Sequence, residues 1–251
     1  MFERFISWIK NIFTKDVKNE WPEIERNPID EAIERGPKPI DPIGSGARKE
    51  IADFRFVDSS HHHSIFDIKA YSKACRLLIN KCTQGTGFVD STHKSRQKAC
   101  KENGVLYGGY HFYECSKDPI EQAQFYFKTH GEFVIPPILD YELLSGQDES
   151  VLRKHKENAF KFMVEIERLT GKKPWIYTGY SLAKEINFEE KWGQFFLWVP
   201  RYSSSLGAIP APWNEKTLAA WQFTESGVFP GFRSSNDVNI YYGKVNALNL
   251  K

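Results

Sequence analysis

A chain of 251 residues, 41% hydrophobic and 26% charged, has the make-up of a globular protein and is long enough for one large α/β domain or two small ones. Its 34 basic and 32 acidic residues leave a net charge of +2, too balanced for a nucleic-acid groove, so no nucleic-acid partner is expected. No run approaches the roughly 20 apolar residues of a membrane span, and an aromatic share of 15% suits a protein that handles sugar rings without demanding one.

Residues 1–53 read as an extension. Phe2, Phe5, Ile6, Ile9, Ile12 and Phe13 recur at helical spacing and form one apolar stripe, with Trp8 near its edge. Such a stripe packs on the rest of the chain, docks on a protein partner or lies on a membrane surface. Arg4, Lys10, Lys15 and Lys18 outnumber Glu3 and Asp16, which suits anionic lipid only weakly. Charges break the stretch and no small-residue cleavage site follows, so no secretory signal is evident. Pro22, Pro28, Pro37, Pro39 and Pro42, then Gly44-Ser45-Gly46, read as an extended linker with one helical turn near Ile29–Ile33.

From Phe54 the rhythm changes. Strands are predicted at Phe54–Asp58, Arg76–Cys82, Val105–Phe112, Val134–Glu142, Pro174–Thr178, Phe195–Val199, Leu218–Phe223 and Val238–Tyr242. Helices are predicted at Asp67–Ala74, Lys94–Glu102, Ile120–Thr129 and Glu149–Leu169, the last stopped by Gly171. Alternating strands and helices imply parallel strands with right-handed crossovers. The expected fold is α/β: an irregular β/α (TIM-like) barrel over residues 54–251, with an N-terminal helical and extended extension over 1–53. The second half has fewer and weaker helices, hence the irregularity.

The strongest local signal is Ile138-Leu139-Asp140-Tyr141-Glu142. On a strand, residues two apart share a face, so Asp140 and Glu142 would project side by side, about 7 Å apart at Cα. Two acids closing an apolar strand repel each other and lose solvent, and both effects raise a carboxyl pKa. A raised pKa is what a general acid needs near neutral pH; a solvated strand end is the plain alternative. Asp58 closes the first barrel strand, and catalytic groups of such barrels sit at the C-terminal strand ends. Asp237 opens the last strand, the wrong end unless that strand runs antiparallel or a loop enters there.

Other chemistries find less support. His61-His62-His63 are chain neighbours without a spaced partner set, so no metal is expected. His111 reads as a satisfied core or cleft residue. No GxSxG or Cys/His signature marks a nucleophile, and Gly85-Thr86-Gly87 lacks the lysine of a phosphate loop. Cys75, Cys82, Cys100 and Cys115 form no CxxC pair and read as reduced, mostly buried thiols. No cofactor is expected.

Eight ordered segments resemble the glycoside hydrolase family 25 lysozymes, the Chalaropsis-type muramidases of phages and bacteria. They are Val57-Asp58-Ser59-Ser60, Ile79-Asn80-Lys81-Cys82-Thr83-Gln84-Gly85-Thr86, Gly108-Gly109-Tyr110-His111-Phe112, Ile138 to Glu142, Lys173-Pro174-Trp175-Ile176-Tyr177-Thr178, Leu197-Trp198-Val199-Pro200-Arg201-Tyr202, Trp221-Gln222-Phe223-Thr224 and Asp237-Val238-Asn239. The resemblance implies hydrolysis of the β-1,4 bond between N-acetylmuramic acid and N-acetylglucosamine in bacterial peptidoglycan, at the cell envelope. It implies Glu142 as proton donor and Asp140 as its partner carboxylate, with Asp58 and Asp237 completing the cluster. Lys81, Tyr110, Tyr177 and Trp198 become substrate-binding residues. Ser59 and His63-Ser64 depart from the usual first loop. Gln84 stands where Glu is frequent, which would remove a charge near the site.

Two rivals remain. A chitinase-type barrel would carry a DxxDxDxE run, and Ile135 to Glu142 lacks its first two acids. A non-catalytic wall-binding or virion structural protein could keep the barrel, but it would have no need of all four acids.

Overall fold

The computed structural model describes residues 54–63 and 66–242. The N-terminal extension and its stripe at residues 2–13 lie outside the described residues. In chain order the elements are β1 (Phe54–Ser59), α1 (Ile68–Ala74), β2 (Leu77–Gln84), β3 (Phe88–Val89), α2 (His93–Glu102), β4 (Leu106–Phe112), α3 (Pro119–His130) and β5 (Ile138–Asp140). There follow α4 (Glu149–Thr170), β6 (Trp175–Tyr177), α5 (Tyr180–Ile186), a 3-10 helix (Glu190–Gln194), β7 (Phe196–Pro200), β8 (Leu218–Gly227) and β9 (Asn236–Tyr241).

The sheet runs β1-β9-β8-β7-β6-β5-β4-β2-β3, and β1 also pairs with β2. That second pairing closes eight strands into a barrel and leaves β3 as a short hairpin partner on β2. From β1 through β2, β4, β5, β6 and β7 to β8, neighbours are parallel. β9 is antiparallel to both β1 and β8. Antiparallel neighbours need no helical crossover, and none of the described residues between β8 and β9 is helical. The barrel is therefore irregular where the helices run out.

Local chemistry explains the helix boundaries. Asp67, Asp118 and Asp148 each accept backbone N–H bonds at a helix start. Pro119 fits the first turn of α3, where its missing N–H costs nothing. Gly171 closes α4 in the left-handed conformation at φ 65°. Gly108 and Gly109 serve a different end. A side chain at Gly108 would collide with Ile135, and one at Gly109 would sit 2.5 Å from the His130 ring. Their absence lets the segment after α3 pack directly on β4.

Several sequence expectations shift. The strand predicted over Val134–Glu142 is only Ile138–Asp140, because Pro136 and Pro137 cannot donate to a ladder. Glu142 lies beyond the strand, although Tyr141 N–H still donates to Tyr177 O at 2.8 Å. β3, α5 and the 3-10 helix at Glu190–Gln194 lie outside the predicted elements. All four cysteines are free and buried. No helix among the described residues is long and apolar enough to cross a membrane.

Candidate active site

Each acid reaches the same end of the barrel by its own local route. Asp58 stands near the C-terminal end of β1, and Asp140 is the last residue of β5. Alternation carries past the ladder: Tyr141 turns outward, fully buried, with its hydroxyl donating to Leu152 O on α4 at 2.6 Å. Its neighbours Asp140 and Glu142 therefore turn toward the barrel mouth. Asp237 arrives from the opposite direction. Because β9 runs antiparallel, its start lies at the C-terminal end of β1, and Asp237 is the register partner of Asp58. Two like charges directly opposite on neighbouring strands are destabilising, a local conflict expected of a working site.

Burial and mutual repulsion push every one of these carboxyls up. Glu142 rises to about 7, through burial first and the Asp237 charge after it, with Lys81 pulling the other way. Asp58 rises to about 7 through burial, partly offset by hydrogen bonds from Asn239 and Gln222. Asp237 rises to about 8 through burial and the charges of Asp58 and Glu225. Asp140 moves well above the carboxylate range, through burial and then Glu142. Asp140 and Glu142 repel, so near neutrality the pair holds a proton between its members. Asp140 Oδ1 is buried and has no hydrogen-bond partner among the described residues.

A polar network fixes Asp58 from below. Asn239 Nδ2 donates to Asp58 Oδ1 at 2.7 Å and Gln222 Nε2 donates to the same oxygen at 3.0 Å. Trp198 Nε1 holds Asn239 through its Oδ1 at 2.7 Å. Tyr177 and Tyr202 hydroxyls donate to Gln222 Oε1 at 3.0 and 2.9 Å. The amide orientations are thus fixed, with each N–H2 aimed at the acid.

The other sequence-selected residues divide by depth. Lys81 is half-buried. Its ammonium sits 4.6 Å from the Phe112 ring centre and 5.5 Å from that of Phe88, and it feels the charges of Asp140 and Glu142. The Tyr110 phenol is pushed up by burial and then by the charges of Asp140, Asp58 and Glu142, whose field it feels. Tyr177 lines the mouth beside Gln222. Trp198 is buried, with its indole N–H committed to Asn239, so it underlies the site. His111 is buried between Thr83 and Gln122 and held neutral at about 3 by burial. His61 pairs with Asp90 at 2.7 Å. No group of three or more His, Cys, Asp or Glu among the described residues could hold a metal ion.

Sequence reasoning gave no role to Gln222, Asn239, Tyr202 or Glu114. The first two were signalled all the same. Gln222 interrupts the apolar run Leu218-Ala219-Ala220-Trp221, and Asn239 shares a strand face with Asp237.

A closed barrel with four acids at one mouth and polar groups holding them is the architecture of a carboxylate-dependent glycoside hydrolase. The family profile is in accord: this chain belongs to glycosyl hydrolases family 25, whose profile matches residues 57–232. The YegX protein of Escherichia coli strain K12 is 29% identical over 173 residues, 67% of this chain and 60% of that protein. The chain thus spans less than two thirds of the length of that relative. The N,O-diacetylmuramidase of Arthroderma benhamiae is 26% identical over 191 residues, 71% of this chain and 77% of that one. The structure of a muramidase from Trichobolus zukalii superposes with a TM-score of 0.65 at 28% identity, covering 78% of this chain and 96% of that one.

Proposed function

We propose that this chain is a lysozyme, a 1,4-β-N-acetylmuramidase that hydrolyses the N-acetylmuramic acid–N-acetylglucosamine bond of bacterial peptidoglycan. The observation that carries the proposal is the gathering of Asp140 at the end of β5, Glu142 just beyond it and the register pair Asp58–Asp237 at one mouth of the closed barrel, where burial raises their carboxyls. Glu142 is the more accessible of the two and holds its proton near neutral pH, so it protonates the glycosidic oxygen as the bond breaks. Asp140 offers a buried acceptor oxygen without a partner, suited to the N–H of the sugar's acetamide. Holding that group, it turns the acetamide oxygen toward the anomeric carbon and supports the oxocarbenium-like state. Asp58, whose two amide donors favour its charged form against burial, steadies the positive charge that develops once it is ionised. Asp237 lies opposite it. Lys81, Tyr110 and Tyr177 contact the glycan, and Trp198 supports them from beneath. Residues 2–13 are the proposed place for a protein partner or membrane surface.

The finer setting proposed is a phage-encoded endolysin or virion-borne lysozyme, a setting checked by whether purified virions contain the protein. The activity itself is tested by digesting purified peptidoglycan and measuring new reducing sugar. Loss of turbidity accompanied by free amino groups and no reducing ends would mean peptide cleavage and overturn the reading. A wall that binds the protein and stays uncut would favour a non-catalytic binding protein.

A further inference from the structure

We propose that Glu114, on the loop after β4, positions Lys81 through the amide of Gln84. The inference rests on the carboxylate-site reading above. Lys81 Nζ donates to Gln84 Oε1 at 2.6 Å, and Gln84 Nε2 donates to Glu114 Oε1 at 2.9 Å. A carboxylate can only accept, so Gln84 must turn its N–H2 toward Glu114 and its oxygen toward the ammonium. With a neutral partner at 114 the amide would be free to flip and present N–H2 to a cation.

The rest of the loop is built to hold that carboxylate in place. Gln122, fully buried, accepts from Glu114 N–H at 2.9 Å and returns a bond to Glu114 O at 3.1 Å. Gly85 takes a left-handed φ of 54°, and a Cβ there would lie 2.7 Å from Glu114 Oε2. Glycine therefore serves both the turn and the space that the carboxylate fills. Phe112, two residues before Glu114, lies beneath the Lys81 ammonium at 4.6 Å. Ring, amide and carboxylate together hold the cation where it faces Asp140 and Glu142. A carboxylate thus stands one amide away from the Lys81 ammonium. Burial lowers the Lys81 ammonium, and Glu114 is among the charges that oppose the shift.

The test is a charge-relocation cycle in the full-length chain: Glu114→Gln, Gln84→Glu and the double variant. Glu114→Gln should lower kcat/KM on peptidoglycan about tenfold, the scale at which a misplaced active-site group is felt. Gln84→Glu alone should also be impaired, because two carboxylates would meet at hydrogen-bond distance. The double variant puts the charge beside Lys81 with a neutral amide behind it, and should return to within about threefold of wild type. Nitrogen NMR of the Lys81 ammonium gives a second readout: its pKa should fall in Glu114→Gln and recover in the double variant. Additive losses in the double variant with unchanged melting temperatures would overturn the proposal. So would a Glu114→Gln enzyme with wild-type kcat/KM and an unmoved Lys81 titration. An inert wild-type protein would sink the hydrolase reading, while the Lys81 titration would still decide whether Glu114 positions it.

Discussion

Glu142→Gln should make the protein more stable at alkaline pH while removing its activity. The carboxyl ordinarily titrates at 4.5 and is pushed up to about 7 here by burial. Between those values the unfolded chain has released the proton and the folded chain still binds it. The unfolded state then binds fewer protons, so stability falls as pH rises through this window and levels off above about 7. At about 1.4 kcal/mol per unit, the penalty carried by ionised Glu142 at pH 8 is about 3 kcal/mol. Glutamine never ionises and keeps nearly the same volume. The variant should match wild type near pH 4 and exceed it at pH 8 by up to that amount. A domain of this size shifts by about 2–4 °C per kcal/mol, so its melting point should rise by about 6–12 °C. Loss of the proton donor should meanwhile cost about 10²–10⁴-fold in wall clearing. Thermal melts from pH 4 to pH 8, paired with turbidity assays, measure both. A variant less stable than wild type at pH 8, or a stability difference independent of pH, would refute the burial argument. Near-normal turnover would move the acid's role to another carboxyl.

Asn239→Leu removes the 2.7 Å donor to Asp58 and leaves the Trp198 N–H without its acceptor. A hydrogen bond to a charged group is worth about 1.5–3 kcal/mol, so the Asp58 carboxyl should climb by about 1–2 units and the acid limb of kcat/KM should move up with it; an unmoved limb would mean that Asp58 need not ionise. With the acetamide held by Asp140, the product should appear first with its anomeric configuration retained, and proton NMR showing the inverted anomer first would rule this out. A chain starting near Arg48 should still fold and cut soluble wall fragments, because β1 pairs with both β2 and β9 and so closes the barrel among the described residues; loss of that cutting in a folded barrel would bring the extension into the active site.

Much of this was legible in the sequence because apolar strand runs and helix caps are local signals. Asp58, Asp140 and Glu142 stood at predicted strand ends, where barrel geometry gathers them. Asp237 was the discordant residue, since the direction of β9 depends on its pairing with β1 and β8 and not on its own residues. The pairing puts it opposite Asp58. β5 is shorter than its apolar pattern suggests, because Val134–Leu139 holds two prolines that cannot join a ladder. Gln222 and Asn239 carry no role in the sequence itself, because an amide's task depends on which acid lies across the barrel. Glu114 was silent for the same reason: it sits 30 residues from Gln84 and meets it only when β2 and β4 pair.

The central claim is that the carboxylates at the barrel mouth cut the glycan strand on the muramic acid side. The most direct measurement is to digest purified peptidoglycan with the full-length protein, reduce the products with borohydride and identify the sugar alcohols formed. Muramitol is expected as the new reducing end, absent when Glu142→Gln replaces the wild-type protein. Glucosaminitol in its place would contradict it.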